Sequence, residues 1–386
     1  MTGPALSLDL RGAQVLLPGD GLVDARLSLA DGLIADGPVG RSVDLAGYWV
    51  LPGIVDVHGD GFERHLAPRR GAMMELATGL QAVDAELSAN GITTGVLAQF
   101  MSWEGGLRGV DFADRVFRAI RAARPDMLTD MLPQLRFETH LLDDYADLPA
   151  RLHDWGVGYL VFNDHLPHDR LAQGRKPPRL TGQALKAGRN PDAHLALMQA
   201  LHARQSEVPA ALEALAARLS AAGIRMGSHD DRTAEARDVW AARGVPVSEF
   251  PETAEAAAAA RSGGGAIVFG APNVVRGGSH NGNVPALDMV AAGLCDALAS
   301  DYHYPSLRRA VQRLVDDGVT DLAGAWALVS SGPARVLGLA DRGTLRPGLR
   351  ADLVVLDPAT WRIGATITRG RVAHMAAPVA HRFLAA

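Results

Sequence analysis

The chain has one cysteine, Cys295, in 386 residues. An internal disulfide is therefore excluded, and a reducing compartment suits the chain. Cys295 sits in an apolar segment and reads as core. Basic residues are not in excess either: the formal net charge is −5. General nucleic-acid binding would call for a basic stripe. A phosphorylated substrate stays allowed, because a few local arginines and a metal can hold one. No stretch approaches the ~18 apolar residues of a membrane span, and the alanine-rich run from 254 to 260 is short and helix-forming. The N-terminus shows no basic-then-apolar signal segment. We expect a cytoplasmic chain with no nucleic-acid and no membrane partner, and leave a homo-oligomer open. A glycine-rich dinucleotide fingerprint and an internal repeat of 20 to 50 residues are also missing.

What is present is an ordinary globular composition, 48% hydrophobic and 21% charged. Residues 1–52 read as short strands with turns between them; Asp31-Gly32 marks a hairpin. Such strands cannot bury a core alone. The far end offers partners in Ala351–Leu356, Ile363–Thr368 and the segment from Arg369 to Val372. We therefore expect 1–52 and 341–386 to form one small β domain, a β-sandwich, around an inserted domain at 53–340.

That middle part alternates short apolar runs with helical stretches. Eight candidate strands are Ile54–His58, Ile92–Ala98, Leu132–Thr139, Tyr159–Asn163, Ile224–Ser228, Val245–Phe250, Ala266–Gly270 and Ala297–Ser300. Helices are expected over Met73–Ala89, Val110–Ala123, Ala193–Ala222, Ala254–Arg261 and Asn283–Gly293. Alternating β and α units predict a parallel sheet with helical crossovers, and eight of them predict a closed (β/α)8 barrel of α/β class. Arg170–Pro191, rich in glycine, proline and basic residues, reads as a long loop after the fourth strand.

Barrel chemistry sits at the C-terminal ends of the strands. The first strand runs through Leu51-Pro-Gly-Ile-Val-Asp-Val-His-Gly-Asp60, and residues i and i+2 of a strand share a face, so His58 and Asp60 project together. The third ends in Glu138, Thr139 and His140. The fourth ends in Asp164 and His165, the fifth in His229, Asp230 and Asp231, and the eighth in Asp301. Imidazoles and carboxylates thus recur at five of eight ends. A mixed N and O donor set without thiolates suits a catalytic divalent metal, Zn²⁺ best with Mn²⁺ or Fe²⁺ as alternatives, one or two ions, and implies activated water.

Gly270–Asn283, after the seventh strand, carries Asn273, Arg276, Ser279 and His280 among glycines that let backbone N–H groups approach a ligand. Loops after the seventh and eighth barrel strands often bind phosphate, so we read this loop as an anion site. His153, His194, His202, His374 and His381 read as surface residues, while His65, His140, His168 and His303 lie near strand ends. Trp49 and Trp361 are expected to pack the small domain.

These motifs carry a family resemblance. Leu51–His58 together with Gly343-Thr-Leu-Arg-Pro-Gly-Leu-Arg-Ala-Asp-Leu-Val-Val-Leu356 resembles the amidohydrolase superfamily. Ser228-His-Asp-Asp231, Gly270-Ala-Pro-Asn-Val-Val-Arg-Gly-Gly-Ser-His280 and Ala299-Ser-Asp-Tyr302 resemble its phosphonate-metabolism branch, the diphosphatases of the carbon–phosphorus lyase pathway. The resemblance implies a metal site of His58, Asp60, Glu138, His165, His229 and Asp301, with Glu138 in place of the bridging carboxylated lysine of many relatives. It also adds Arg69, after Pro68, to Asn273, Arg276, Ser279 and His280 as contacts to substrate. Metal-assisted release of diphosphate from a small phosphorylated substrate, a ribose 1-methylphosphonate 5-triphosphate, is the implied reaction, with Asp301 as general base. One segment departs from the branch: after Asp164-His165 the chain continues Leu-Pro-His-Asp-Arg-Leu171. A paralogue acting on another phosphorylated compound, an amide hydrolase or deaminase, and a non-catalytic scaffold are the alternatives.

Overall fold

The computed structural model describes residues 4–69, 72–278 and 282–386. The eight expected strands are all present: β1 (Ile54–Gly59), β2 (Ile92–Met101), β3 (Asp130–Glu138), β4 (Tyr159–Asn163), β5 (Arg225–His229), β6 (Val247–Glu249), β7 (Ala266–Gly270) and β8 (Ala297–Ala299). They follow one another in chain order in a single eight-stranded sheet. A parallel bridge between Gly59 and Asp301 joins the first strand to the segment after the last, giving a (β/α)8 barrel. All residues of β1, β2 and β4 are buried, as expected for strands covered on both faces.

The chain divides into two compact units. The first comprises Met1–Leu97, Ala123–Leu132 and Ala266–Ala386, and the second Ala98–Ala122 with Pro133–Gly265. Within the first, both chain ends contribute sheets. Gly21–Asp24, Gln14–Leu17, Trp49–Pro52, Leu353–Leu356, Ile363–Thr368 and Arg371–Met375 make six strands in that order. Leu51 pairs with Val354 across the antiparallel step that brings the two ends together. A four-stranded sheet orders Leu33–Ala35, Leu27–Ala30, Leu8–Arg11 and Ser42–Asp44. Leu8, Leu10, Leu29, Val50, Leu353, Val355 and Ile367 are buried in one shared core, each stabilising by about 1.5–3 kcal/mol relative to exposure. The Asp31-Gly32 turn is as expected: both residues have positive φ, 52° and 79°, which a two-residue hairpin of this hand requires. Trp49 meets Trp361 edge to face at 5.8 Å.

Four local expectations are corrected. Ala193–Ala222 is not one helix but two, Pro191–Ala203 and Val208–Ala221, the second starting with Pro209 in its first turn, where a missing N–H costs nothing. Arg170–Pro191 is not structureless. It holds the end of helix His168–Ala172 and the whole of helix Leu180–Lys186, and Leu171 and Leu180 bury against Trp103, Leu166 and Met198. His194 is fully buried rather than superficial, with its ring 5.7 Å from that of Trp103. Residues 271–276, read as loop, form a short helix that Gly277 ends at φ 80°.

Candidate active site

In the first unit, the closure of the barrel positions three of the expected ligands. The Asp301 N–H donates to the His58 carbonyl at 3.0 Å, and the Asp60 N–H donates to the Asp301 carbonyl at 2.9 Å. His58 is fully buried; Asp60 and Asp301 are half-buried. Asp301 has φ 56°, a left-handed conformation that a non-glycine residue adopts at a cost of about 1–2 kcal/mol. Behind them Asp56, fully buried, accepts the Ser300 N–H at 2.9 Å and its hydroxyl. Burial pushes the Asp56 carboxyl up to about 7, against the pull of the Ser300 and His58 hydrogen bonds. Asp56 thus fixes β1 and the end of β8 against each other, and with them His58 and Asp301.

In the second unit, Glu138 ends β3 and is fully buried. It accepts from Trp103 Nε1 at 3.2 Å and from the His165 N–H at 3.2 Å, and it pairs with His165 Nδ1. Burial raises the Glu138 pKa, but the hydrogen bonds and charge of His165 outweigh it and the net direction is down. Burial lowers His165, and Glu138 reverses that too. Both directions come from the contact between the two side chains; a carboxylate at Glu138 is the form that ligates a metal, whereas His165 ligates one only as the neutral imidazole.

His229 ends β5 and stands in register with Glu249 of β6. Their ligand atoms approach within 4.8 Å. Glu249 is fully buried, and its Oε1 accepts from Tyr159 Oη at 2.6 Å and Gln134 Nε2 at 2.9 Å. His229 Nδ1 lies 2.9 Å from Asp230, and Arg136 Nη2 lies 2.9 Å from His229 Nε2. Arg136 sits on β3 two residues before Glu138, so strand alternation puts both on one face. Its guanidinium stacks 3.9 Å over the Phe100 ring and reaches Asn163 Oδ1 at 3.1 Å. Asp231 does something else: it accepts from the hydroxyls of Ser228 and Ser248, each at 2.6 Å, and faces the buried Arg237.

Glu249 and Arg136 were missed in the sequence. Extending the sixth strand to Phe250 hid Glu249 inside it, although it is a carboxylate on a strand that ends one residue earlier. Arg136 gave no local signal beyond being a charge in an apolar run. Of the expected substrate contacts, Arg276 pairs with the Tyr302 hydroxyl. Asn273, on the short helix 271–276, accepts the N–H of Ala286, the first residue of helix Ala286–Ala291, at 3.1 Å. Arg69 closes a small bridge with Ala72. Ser279 and His280 lie outside the described residues.

Buried imidazoles and carboxylates that contact one another fit a divalent metal of the zinc type, which takes such N and O donors. The Amidohydrolase family profile matches residues 62–374. With barrel, end sheets and strand-end ligands in hand, the chain belongs to the amidohydrolase family, a family of hydrolases. More particularly, it is 33% identical to the alpha-D-ribose 1-methylphosphonate 5-triphosphate diphosphatase of Escherichia coli (strain K12) over 328 residues, 82% of this chain and 85% of that protein. Two solved structures show the shared fold. N-acyl-D-glutamate deacylase from Bordetella bronchiseptica, complexed with zinc, superposes with TM-score 0.60 at 16% identity, over 97% of this chain and 98% of that one. N-acetylglucosamine-6-phosphate deacetylase from Pasteurella multocida does so with TM-score 0.62 at 12% identity, over 95% and 99%.

Proposed function

We propose that this chain is a metal-dependent diphosphatase acting on a phosphoanhydride of a ribose 1-methylphosphonate 5-triphosphate. The observation that supports it is the extent of the likeness to the Escherichia coli diphosphatase, together with imidazoles and carboxylates at five of this chain's barrel strand ends. His58, Asp60, Glu138, His165, His229 and Asp301, joined by Glu249, would hold the metal. A bound divalent cation supplies Lewis acidity and lowers the pKa of water from 15.7 to about 7.

The chain's own side chains do the rest. The Asp301 carboxylate accepts the proton of the attacking water, and its backbone ties to His58 and Asp60 fix where that oxygen stands. The water oxygen bonds to phosphorus as the bridging P–O bond breaks, and the bond pair leaves with diphosphate. Arg276 and Arg136 carry fixed positive charge for the phosphoryl oxygens and the leaving group. Arg136 is preorganised by Phe100 and Asn163, so little reorganisation accompanies the reaction. The departure from the branch after His165 bears on which phosphorylated compound is accepted, not on the metal chemistry.

The test is phosphorus NMR of the purified, zinc-loaded protein with the ribose phosphonate triphosphate. Appearance of the diphosphate resonance is expected. Release of single phosphate, or no turnover, would overturn the assignment and favour another phosphorylated substrate or an amide.

A further inference from the structure

The segment that departs from the branch is also the one that brings a second group of donors together. His140 lies two residues past the end of β3, Asp164 one past the end of β4, and His168 opens the helix that follows. Ligand atoms of the three lie within 4.8 Å of one another. His168 Nε2 is 3.0 and 3.3 Å from the two Asp164 oxygens, and His140 Nδ1 is 3.5 Å from Asp164 Oδ1. Behind His168, its Nδ1 lies 2.8 Å from Nδ1 of His202, in the last turn of helix Pro191–Ala203. The ring centroids of His140 and His168 are 4.8 Å apart, and those of His168 and His202 5.1 Å.

We propose that His140, Asp164 and His168 form an accessory divalent-cation site of the zinc type, with His202 as the positioning residue for His168. The donor geometry carries the assignment. Two imidazoles and a carboxylate form a three-ligand N/O set that leaves one position to water, as zinc sites do. His168 offers Nε2 to the carboxylate side and uses Nδ1 on His202; with the proton on Nδ1, the lone pair of Nε2 is left for the cation. A metal-binding histidine is typically held in this way through its other nitrogen. His140 is 4% exposed; its Nδ1 lies 3.4 Å from the Thr139 hydroxyl and 3.5 Å from Asp164, while its Nε2 is buried with no hydrogen-bond partner among the described residues. The Glu138–His165 pair makes its own contacts, so the two groups use different side chains. An ion here would link the ends of β3 and β4 to the helix starting at His168 and, through His202, to helix Pro191–Ala203. It would rigidify the stretch that immediately follows His165.

The test counts zinc in the full chain. Parent, His168→Asn and His202→Asn are equilibrated against buffered Zn²⁺, and bound zinc per chain is measured by inductively coupled plasma mass spectrometry. Parent is expected to bind one zinc more than His168→Asn. His202→Asn should keep the stoichiometry but bind that zinc about 10–100-fold more weakly, the loss typical of an outer hydrogen-bond partner. Hydrogen exchange across 164–172 should slow on adding Zn²⁺ to parent and not to His168→Asn. Equal zinc content in parent and His168→Asn, with far-UV circular dichroism showing both folded, overturns the proposal. Should His168→Asn fail to fold, His202→Asn decides: unchanged zinc affinity refutes it. Because the count is a difference, the outcome does not depend on how many ions the strand-end site holds.

Discussion

Asp130, at the start of β3, is the most heavily paired carboxylate described in the first unit. Its side chain is 3% exposed. Oδ1 accepts from Arg124 Nε at 3.1 Å and Nη2 at 2.8 Å; Oδ2 accepts from Arg342 Nη1 at 2.7 Å and Arg350 Nη1 at 3.0 Å, with Arg369 Nη2 at 3.1 Å. Arg342 and Arg350 are themselves buried, at 7% and 8% side-chain exposure, so they cannot recover water if Asp130 is neutralised. Removing one partner of a buried ion pair costs about 3–5 kcal/mol, because the remaining charge is left uncompensated. Asp352 and Asp341 still face Arg350 and Arg342, which places the expected loss for Asp130→Asn at the lower end, about 3 kcal/mol. Urea unfolding followed by circular dichroism measures it. The pH dependence supplies a second readout. Burial alone would raise the Asp130 pKa, but Arg342 and Arg124 hold it well below the ordinary carboxylate range. A depressed folded pKa means stability that is complete above the unfolded value of about 3.9 and drains away as pH falls through the folded pKa. Parent should lose this increment below about pH 4, and Asp130→Asn should have none to lose. A destabilisation under about 1 kcal/mol, or identical acid limbs in parent and variant, would refute the buried-network account.

Four further outcomes are expected. Asp301→Asn should abolish turnover while leaving metal content close to parent, since the amide still coordinates weakly but accepts no proton; retained turnover would remove the base assignment. Glu249→Gln should weaken zinc binding at the strand-end site, measured by competition with a chromogenic chelator, and an unchanged affinity would return Glu249 to a purely structural role. Arg276→Ala should raise KM for phosphorylated substrates steeply with little change in zinc content. Gly332→Ala should destabilise by about 1–3 kcal/mol or more, because a Cβ there would stand 2.0 Å from the Asp296 carbonyl oxygen and 2.8 Å from that of Ala327; near-parent thermal stability would show that this backbone yields.

The described residues contain no helix long and apolar enough to cross a membrane, as the absence of long apolar runs implies. The histidines of the chain show where sequence reasoning stops. His58 and His165 were legible because they close apolar strand runs, and position in the run is a local property. His194 and His202 fall on one helix and looked alike, yet one is sealed under Trp103 and the other faces His168. That difference depends on which segments fold back over the helix, and no periodicity within it records this.

The chain alone determined the architecture. Strand-length apolar runs, helical spacing between them and hairpin chemistry at Asp31-Gly32 are encoded within a few residues of each other, so eight barrel strands and two sheets from the chain ends could be read directly. It also determined which strand ends carry imidazole and carboxylate. Tertiary structure decided which of these meet. Glu138 bonds His165, Asp231 turns away to Ser248 and Arg237, and Glu249, unnoticed in sequence, stands beside His229. It alone placed Arg136 against Phe100 and gathered His140, Asp164, His168 and His202 into one cluster. The reason is physical: secondary structure follows from local spacing and burial pattern, whereas a site is made by residues far apart in sequence, whose approach is set by strand register and loop packing.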